Sequence, residues 1–231
     1  EDIPHIQRAD KPDPYDLQWE RPRPFVRRRD GLGVRERITP SGAVEVPLTD
    51  QELDRVGDCV ARWLDDGEPG ERAVAVNLLF SFAEPTHEQR LAAHLAVRFP
   101  DLPISLSHEV APLWREYERA STTILDAYVK PLLHRFVDRL ARRLQEAGYT
   151  APLALMKSNG GRLLAAAAAD QPAPLIVARA MRPLPEPGGA IGDPPGEPVR
   201  PPRRSSGLGL AGWGRLPAAV YLASRTGLPP P

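Results

Sequence analysis

The sequence AVAVNLLF at residues 73–80 is an almost unbroken run of apolar side chains. A strand that buries both faces has this pattern, whereas a strand with one solvated face alternates between apolar and polar residues. The sequence on either side favours helices: Thr49 or Asp50 can cap a helix that extends to about Leu64, and residues 86–98 predict a second one. The run therefore constrains the chain to layers of helix around a buried sheet.

Strand and helix patterns alternate up to about residue 170. PISLS at residues 103–107 and PLALM at residues 152–156 predict short strands, with a long helix between them that ends near Gly148. VRERITPSGAVEVPL at residues 34–48 predicts two short strands around a turn, and a helix is expected after PLALM up to residue 169. This order predicts an α/β fold with a largely parallel or mixed sheet.

The C-terminal part differs in composition. Half of the 28 prolines follow Gln171, and residues 183–207 show neither strand nor helix periodicity. Such a segment buries too little apolar surface to offset the entropy of ordering. We therefore expect residues 173–231 to form a disordered Pro/Arg/Gly-rich tail, which is either a native linker or the out-of-frame translation of GC-rich DNA.

The long helix carries two stripes, each with residues recurring every three or four positions. One is apolar and is expected to face the core. The other is polar, and it is either a solvated face or a set of arginine and hydroxyl groups that binds a phosphate or carboxylate. Pro131 is expected to cause a kink or a fresh helix start. The apolar stripe is Leu113, Tyr117, Ala120, Ile124, Tyr128, Leu132, Phe136, Leu140 and Leu144, and the polar stripe is Arg115, Arg119, Thr122, Asp126 and Lys130.

The sequence SNGG follows the PLALM strand and also allows two interpretations. It is either a tight turn in which glycine supplies a positive φ, or a cradle of backbone N–H groups for an anion. The five histidines lack the paired spacing of a zinc site, so we expect no metal ligands among them. No serine lies in a G-x-S-x-G nucleophile motif, and Cys59 is expected to be an inert, partly buried thiol.

Charge and composition exclude some classes of partner. The 30 basic and 30 acidic side chains balance, which gives no electrostatic case for nucleic acid or an anionic membrane. No apolar run approaches the ~20 residues that span a bilayer. With a single cysteine and no visible signal peptide, a cytoplasmic location is expected. The chain begins with Glu1, and we expect it to be an internal fragment or a processed piece.

Four strings resemble the hydantoinase A / 5-oxoprolinase family, which includes subunits of acetone and acetophenone carboxylases. They cover residues 8–24, 73–90, 104–128 and 153–161. The third, ISLSHEVAPLWREYERASTTILDAY, is the most specific, because family members typically carry S-x-E-V-x-P…E-Y-E-R-x-S-T-T…A-Y there. Asp126 departs from the asparagine usual at that position. The resemblance extends to about Pro172, and its abrupt end favours the frameshift interpretation of the tail.

The resemblance implies a partial actin-like, ribonuclease-H-like ATPase fold and ATP-dependent chemistry with Mg²⁺. It implies that the chain is a fragment of an enzyme that opens a cyclic amide such as 5-oxoproline or a hydantoin. The fragment alone is expected to be inactive, and the enzyme is expected to work with a hydantoinase B-type subunit. The alternative is an inactive remnant or interaction module of a two-subunit hydantoinase or acetone-carboxylase-like complex. The family's glycine-rich phosphate loop is absent from this chain and is expected upstream of Glu1.

The implied domains are residues 1–110, part of the N-terminal hydantoinase/oxoprolinase domain, and residues 111–172, the start of the hydantoinase A domain. The choice among oxoproline, hydantoin and ketone substrates stays open, as do the catalytic residues and the oligomeric state. The expected cleft residues come from the polar stripe and the SNGG turn: Arg115, Glu116, Arg119, Ser121, Thr122, Thr123, Asp126, Ser158, Asn159, Gly160 and Gly161.

Overall fold

The computed structural model describes residues 2–7, 13, 15–20, 22–66, 72–156, 161–165 and 218–224. None of the helices in these ranges is both long enough and apolar enough to cross a membrane. The helices and strands, in chain order, are α1 Ile3–Ile6, β1 Gly31–Val34, β2 Arg37–Ile38, β3 Val44–Val46, α2 Asp50–Asp66, β4 Arg72–Asn77, α3 Thr86–Arg98, β5 Ile104–Leu106, α4 Ser107–Val110, α5 Glu116–Glu146, β6 Ala154–Met156, β7 Arg162–Leu164 and β8 Ala218–Ser224.

Four strands form a parallel sheet in the order β1-β8-β4-β5. Helices α2 and α3 pack on one face of this sheet, and α5 packs on the other. Burial on both faces is what the apolar run at residues 73–80 requires, so the α/β class with a parallel sheet is confirmed in the described residues.

Side-chain size alternates along β4. Val74 and Val76 belong to the apolar cluster with α2 and α3, whereas Ala73 and Ala75 face α5. A small side chain lets a helix approach the sheet closely, and a branched one fills the wider gap on the other face. The alternation therefore sets the separate distances at which the two helical layers pack.

Strand β8 lies where a disordered tail was expected. It pairs in parallel with both β1 and β4, and residues 219–223 are buried. The segment AAVYLAS repeats the alternation of β4, because Val220 and Leu222 join the α2–α3 cluster while Tyr221 and Ala223 face α5. The composition of the whole tail hid this short strand. The other residues of 173–231 lie outside the described part, so for them the disordered and frameshifted alternatives stay predictions.

Several local expectations are confirmed. Helix α2 contains the predicted span, α3 covers the predicted residues 86–98, and β2 and β3 form the predicted antiparallel hairpin, in which Gly42 has a φ of 81°. After β6 the chain differs, because residues 162–164 form β7, antiparallel to β6, where a helix was expected. Leu155 of β6, which pairs with Leu163 of β7, packs with Ala165 near Val137 of α5.

Helix α5 runs through Pro131 without a fresh start. Proline removes one backbone donor, but the adjacent turns are anchored by buried Ala127 and by Lys130, whose Nζ donates to the carbonyl of Ile104 at 2.8 Å. Two members of the expected apolar stripe do not face the core: Leu113 precedes the helix, and Phe136 lies on the half beyond Pro131, and both are about half exposed.

Candidate functional site

A polar cluster lies at the carboxyl edge of the parallel sheet. Asn77 ends β4, Ser107 follows β5 and Ser224 ends β8, so the parallel topology brings them to one edge. In open α/β sheets, ligands bind at this edge. The starts of α3 and α5 add charged side chains. We call this group the carboxyl-edge cluster; it comprises Glu36, Asn77, Ser81, His87, Glu88, Ser107, His108, Glu116, Arg119, Tyr221 and Ser224.

Arg119 is a fully buried charge of the cluster, with no exposed surface. Its Nε donates to Asn77 Oδ1 at 2.9 Å, and its Nη2 donates to the carbonyl of Leu78 at 2.7 Å and to Glu116 Oε2 at 2.6 Å. The guanidinium also lies over the ring of Phe82, 5.3 Å from its centroid. Nη1 finds no hydrogen-bond partner among the described residues. One nitrogen of this buried guanidinium is therefore not satisfied by the described residues.

Glu116, the first residue of α5, is only partly neutralised by Arg119. Burial raises the pKa of this carboxyl, although the charge of Arg119 lowers it. Its Oε1 is buried and, like Arg119 Nη1, has no hydrogen-bond partner in the described part of the chain. The pair thus presents one donor and one acceptor that the surrounding protein does not satisfy.

Tyr221 connects the tail strand to this pair. Its hydroxyl accepts a hydrogen bond from Asn77 Nδ2 at 3.2 Å, and Asn77 in turn holds Arg119. Burial raises the pKa of the Tyr221 phenol well above its ordinary value, so the hydroxyl stays protonated. Strand β8 therefore contributes to the cluster as well as to the sheet.

Glu88, on the first turn of α3, is the centre of a second group of hydrogen bonds. Its Oε1 accepts from the backbone N–H of Leu78 at 2.8 Å and from Ser107 Oγ at 2.6 Å. Its Oε2 lies 2.6 Å from His108 Nδ1 and 3.1 Å from the His108 backbone nitrogen. Ser81 Oγ lies 3.0 Å from Ser107 Oγ. Glu88 thus ties the ends of β4 and β5 to α3.

Glu36 and His87 form a third group beside β8. His87 Nδ1 lies 2.7 Å from Glu36 Oε2, and the backbone N–H of Leu48 donates to His87 Nε2 at 3.4 Å. Ser224 Oγ donates to Glu36 Oε1 and accepts from the Leu79 backbone at 2.7 Å. All these groups are buried or nearly so.

The polar stripe predicted on the long helix is not a solvated face. Arg119, Thr122 and Asp126 are buried against the sheet, and Ser105 Oγ of β5 donates to Asp126 at 2.7 Å. Thr123 is also buried, and its hydroxyl donates to the Arg119 carbonyl within the helix at 2.8 Å. The functional alternative stays a proposal, because most of these contacts anchor α5 to the sheet.

The other expected cleft residues divide in position. Arg115 precedes α5, and its side chain is 58% exposed. Its Nη1 lies 3.9 Å from Glu118 Oε1, so Arg115 lies outside the cluster. The buried hydroxyl of Ser121 finds no partner among the described residues. Gly161 is exposed next to β7. Ser158, Asn159 and Gly160 lie outside the described residues, so the SNGG cradle stays a prediction.

Sequence reasoning missed most of the cluster. Ser107 ends the predicted strand 103–107 and His108 follows it, so the carboxyl-edge rule for parallel strands could have selected them; Asn77 lies inside the predicted run 73–80, which the structure ends at Asn77. Glu36, Glu88 and Tyr221 offered no such signal, because their roles depend on contacts between segments distant in sequence.

The described residues contain no group of three or more His, Cys, Asp or Glu side chains that could hold a metal ion. The chemistry offered by the cluster is instead that of an anion partner, through Arg119 Nη1, beside buried carboxylates and an imidazole. Such a set suits a phosphate or carboxylate oxygen and a proton transfer.

Comparisons with known proteins match two consecutive regions. Residues 1–97 match the family described as hydantoinase/oxoprolinase N-terminal region, and residues 119–179 match hydantoinase/oxoprolinase. The chain is 39% identical over 90 residues to the caprolactamase subunit alpha of Pseudomonas jessenii, covering 39% of this chain and 13% of that protein. It is 33% identical over 146 residues to the acetophenone carboxylase gamma subunit of Aromatoleum aromaticum, covering 61% and 19% respectively.

The fold also has a solved counterpart. The crystal structure of the ATP-dependent caprolactamase from Pseudomonas jessenii superposes with a TM-score of 0.57 and 29% identity, over 70% of this chain and 22% of that one. This likeness confirms the expected partial actin-like ATPase fold. The chain spans a quarter or less of the length of the curated relatives it matches. The two matched regions together make up more than half of the chain, which therefore belongs to the hydantoinase/oxoprolinase family.

Proposed function

We propose that this chain is part of an ATP-dependent enzyme that opens a cyclic amide by hydrolysis. The observation that carries the proposal is the carboxyl-edge cluster, in which one nitrogen of the buried Arg119 guanidinium has no partner in the described ranges, within a chain similar to an ATP-dependent caprolactamase. Such a nitrogen can bind an oxygen of a phosphate or of the substrate in a site from which water is excluded.

ATP supplies a phosphoryl group that makes the amide oxygen a better leaving group, and Mg²⁺ is proposed as the counter-ion of the phosphates because it binds phosphate oxygens with few protein ligands. The part of this chain is to hold negative charge at Arg119 and to keep Glu116 and Glu88 at fixed positions beside it. The cleft residues expected on α5 and in the SNGG turn belong to this proposal, as does a cytoplasmic location.

A partner subunit is proposed as well. The caprolactamase and acetophenone carboxylase relatives are both named as subunits, so relatives of this chain work in assemblies. We propose a hydantoinase B-type subunit as the partner. The second function, an inactive remnant or interaction module, is favoured by the burial of Arg119, because a wholly buried arginine also serves as an anchor between helix and sheet.

The test is ATP turnover by the product of the complete gene, purified with a co-expressed B-type subunit. Phosphate release is measured with caprolactam, 5-oxoproline, hydantoin and acetophenone in parallel. Stimulation by a cyclic amide is expected. Stimulation by the ketone alone would show that the substrate is a ketone and not a cyclic amide. The 231-residue chain alone is expected to be inactive. If the assembled protein binds its partner but shows no stimulated turnover with any of the four compounds, the interaction-module function is correct instead.

A further inference from the structure

Glu88 fixes the ring of His108 in one orientation. The Glu88 side chain has no exposed surface, and all four of its close contacts are with donor groups or with groups able to donate: Leu78 N–H, Ser107 Oγ, and the backbone nitrogen and Nδ1 of His108. A carboxylate only accepts hydrogen bonds. His108 Nδ1 must therefore carry the proton, which leaves Nε2 as the nitrogen with a free lone pair in the neutral ring.

The free nitrogen of His108 lies near the surface of the cluster. The His108 side chain is 11% exposed, and the carboxylate atom that the described residues place near Nε2 is Glu109 Oε1 at 3.9 Å, which is beyond hydrogen-bond distance. Among the described residues, the charged groups that face this ring are Glu88 from α3 and Glu109 from α4. The lone pair on Nε2 can accept a proton from a small molecule at this edge.

His87 provides a contrast within the same chain. Its Nδ1 also contacts a buried carboxylate, Glu36, at 2.7 Å, but its Nε2 already accepts the backbone N–H of Leu48. Both nitrogens of His87 are thus used by the fold. Of these two carboxylate-held histidines, His108 is the one with a nitrogen left for chemistry.

We propose that His108 is the proton acceptor of the carboxyl-edge cluster, with Glu88 as its positioning residue. The inference rests on the proposed function, because cyclic amide hydrolysis requires water to lose a proton. The water oxygen bonds to the carbon of the phosphorylated amide, and one of its protons moves to His108 Nε2. As the carbon–nitrogen bond breaks, that proton passes to the departing ring nitrogen and an acyl phosphate remains. A second water then displaces inorganic phosphate from the acyl carbon, so that two waters and one ATP yield one carboxyl, one amine, ADP and phosphate.

The first experiment needs no activity and uses the 231-residue chain. Long-range ¹H–¹⁵N spectra of the imidazoles, assigned with His108→Asn, are expected to show His108 with a protonated Nδ1 and an unprotonated Nε2 at pH 8. Diethyl pyrocarbonate, which acylates unprotonated imidazole nitrogen, is expected to modify His108 and to leave His87 unmodified. A protonated Nε2 on neutral His108, or a His108 as inert as His87, would overturn the proposal.

The second experiment measures turnover by the complete gene product with its partner. His108→Asn is expected to lower kcat by about 10²–10⁴-fold, the range for loss of a general base, and to remove the acid limb of the kcat–pH profile while KM changes little. The control is His94→Asn at the contact between α3 and α2, where His94 Nε2 lies 3.6 Å from Asp54 Oδ1; this change should leave kcat unchanged. An unaltered pH profile in His108→Asn would refute the assignment. If the wild-type protein shows no stimulated turnover, the proposed function fails, and the tautomer and acylation results alone decide whether His108 is a proton acceptor.

Discussion

Arg119 shows what helical spacing can and cannot predict about a single residue. The sequence places Arg119 on a helical face with Thr122 and Asp126, and that face exists. Spacing does not say what the face meets, because a helix can turn a polar stripe towards solvent or towards the polar ends of a sheet. Here the carbonyl of Leu78 and the amide of Asn77 compensate the guanidinium, so burial costs less than it would in an apolar core.

Replacing Arg119 by methionine should destabilise the protein strongly. The change leaves the Glu116 carboxylate without its cation and the Asn77 and Leu78 acceptors without donors. We expect the free energy of unfolding to fall by about 3–5 kcal/mol, as when one partner of a buried pair is removed. Arg115→Met is the matched control, because Arg115 is 58% exposed and its change should stay within about 0.5 kcal/mol. Equal effects in urea denaturation would contradict the burial of Arg119.

Glu116 should give stability an uncommon dependence on pH. Burial raises its pKa in the folded protein, so the unfolded chain loses this proton at a lower pH than the folded one. Its contribution to stability is therefore fully present below the unfolded value and is lost as pH rises through the folded pKa. The glutamine of Glu116→Gln cannot lose a proton. The free energy of unfolding of the variant, minus that of the unchanged protein, should therefore increase as the pH rises from about 4 to about 7.

The control for this effect is Glu84. A hydrogen bond from the hydroxyl of Thr86 lowers the pKa of the Glu84 carboxyl, so its contribution is present above the unfolded value and is lost as pH falls. Glu84→Gln should therefore shift the difference in the opposite direction, and it should do so as pH falls below the unfolded value. Urea denaturation curves at pH 7, at pH 4 and at a lower pH measure the two differences, and the same pH dependence in both variants would show that burial does not govern Glu116.

At the scale of elements, local sequence patterns predicted helices correctly, but they did not predict the features that depend on contacts between elements. Helices α2 and α3 follow from capping residues and apolar spacing, which act within a few turns. The expected helix after PLALM is instead strand β7, because pairing with β6 brings Ala165, the residue after β7, against Val137 of α5. The continuity of α5 through Pro131 also depends on tertiary contacts with β5, which no local pattern contains.

The alternation along β4 predicts an asymmetric response to added volume. Ala75 faces α5, where Ala120 and Ile124 approach the sheet. Ala75→Leu should push the helix away and lower the free energy of unfolding by about 1–3 kcal/mol through overpacking. Val97→Leu on α3 adds one methylene where the side chain is 85% exposed, and should change stability by less than about 0.5 kcal/mol. Thermal unfolding of both variants distinguishes overpacking between β4 and α5 from a general effect of added side-chain volume.

At the scale of the whole molecule, strand β8 is the feature that composition could not reveal. Seven residues with a strand-like alternation stand after a proline-rich stretch, and averaging over the tail removes their signal. Their place between β1 and β4 depends on pairing across more than 140 positions of sequence. The parallel sheet was predictable from the strand–helix order, but the identity of its inner strand was not, because strand order is set by contacts that no local pattern encodes.

Leu222→Ala tests whether the sheet needs β8. Leu222 is fully buried in the cluster with Val34, Val74 and Leu106, so truncating it should lower the free energy of unfolding by about 2–5 kcal/mol. Leu17→Ala is the matched control, since Leu17 is 96% exposed and should change stability by less than about 0.5 kcal/mol. If residues 173–231 were disordered throughout, Leu222→Ala would behave like Leu17→Ala. In that case a chain ending at residue 172 should also keep its cooperative unfolding transition. If β8 is part of the sheet, the same truncation removes the strand between β1 and β4, and the cooperative transition is lost.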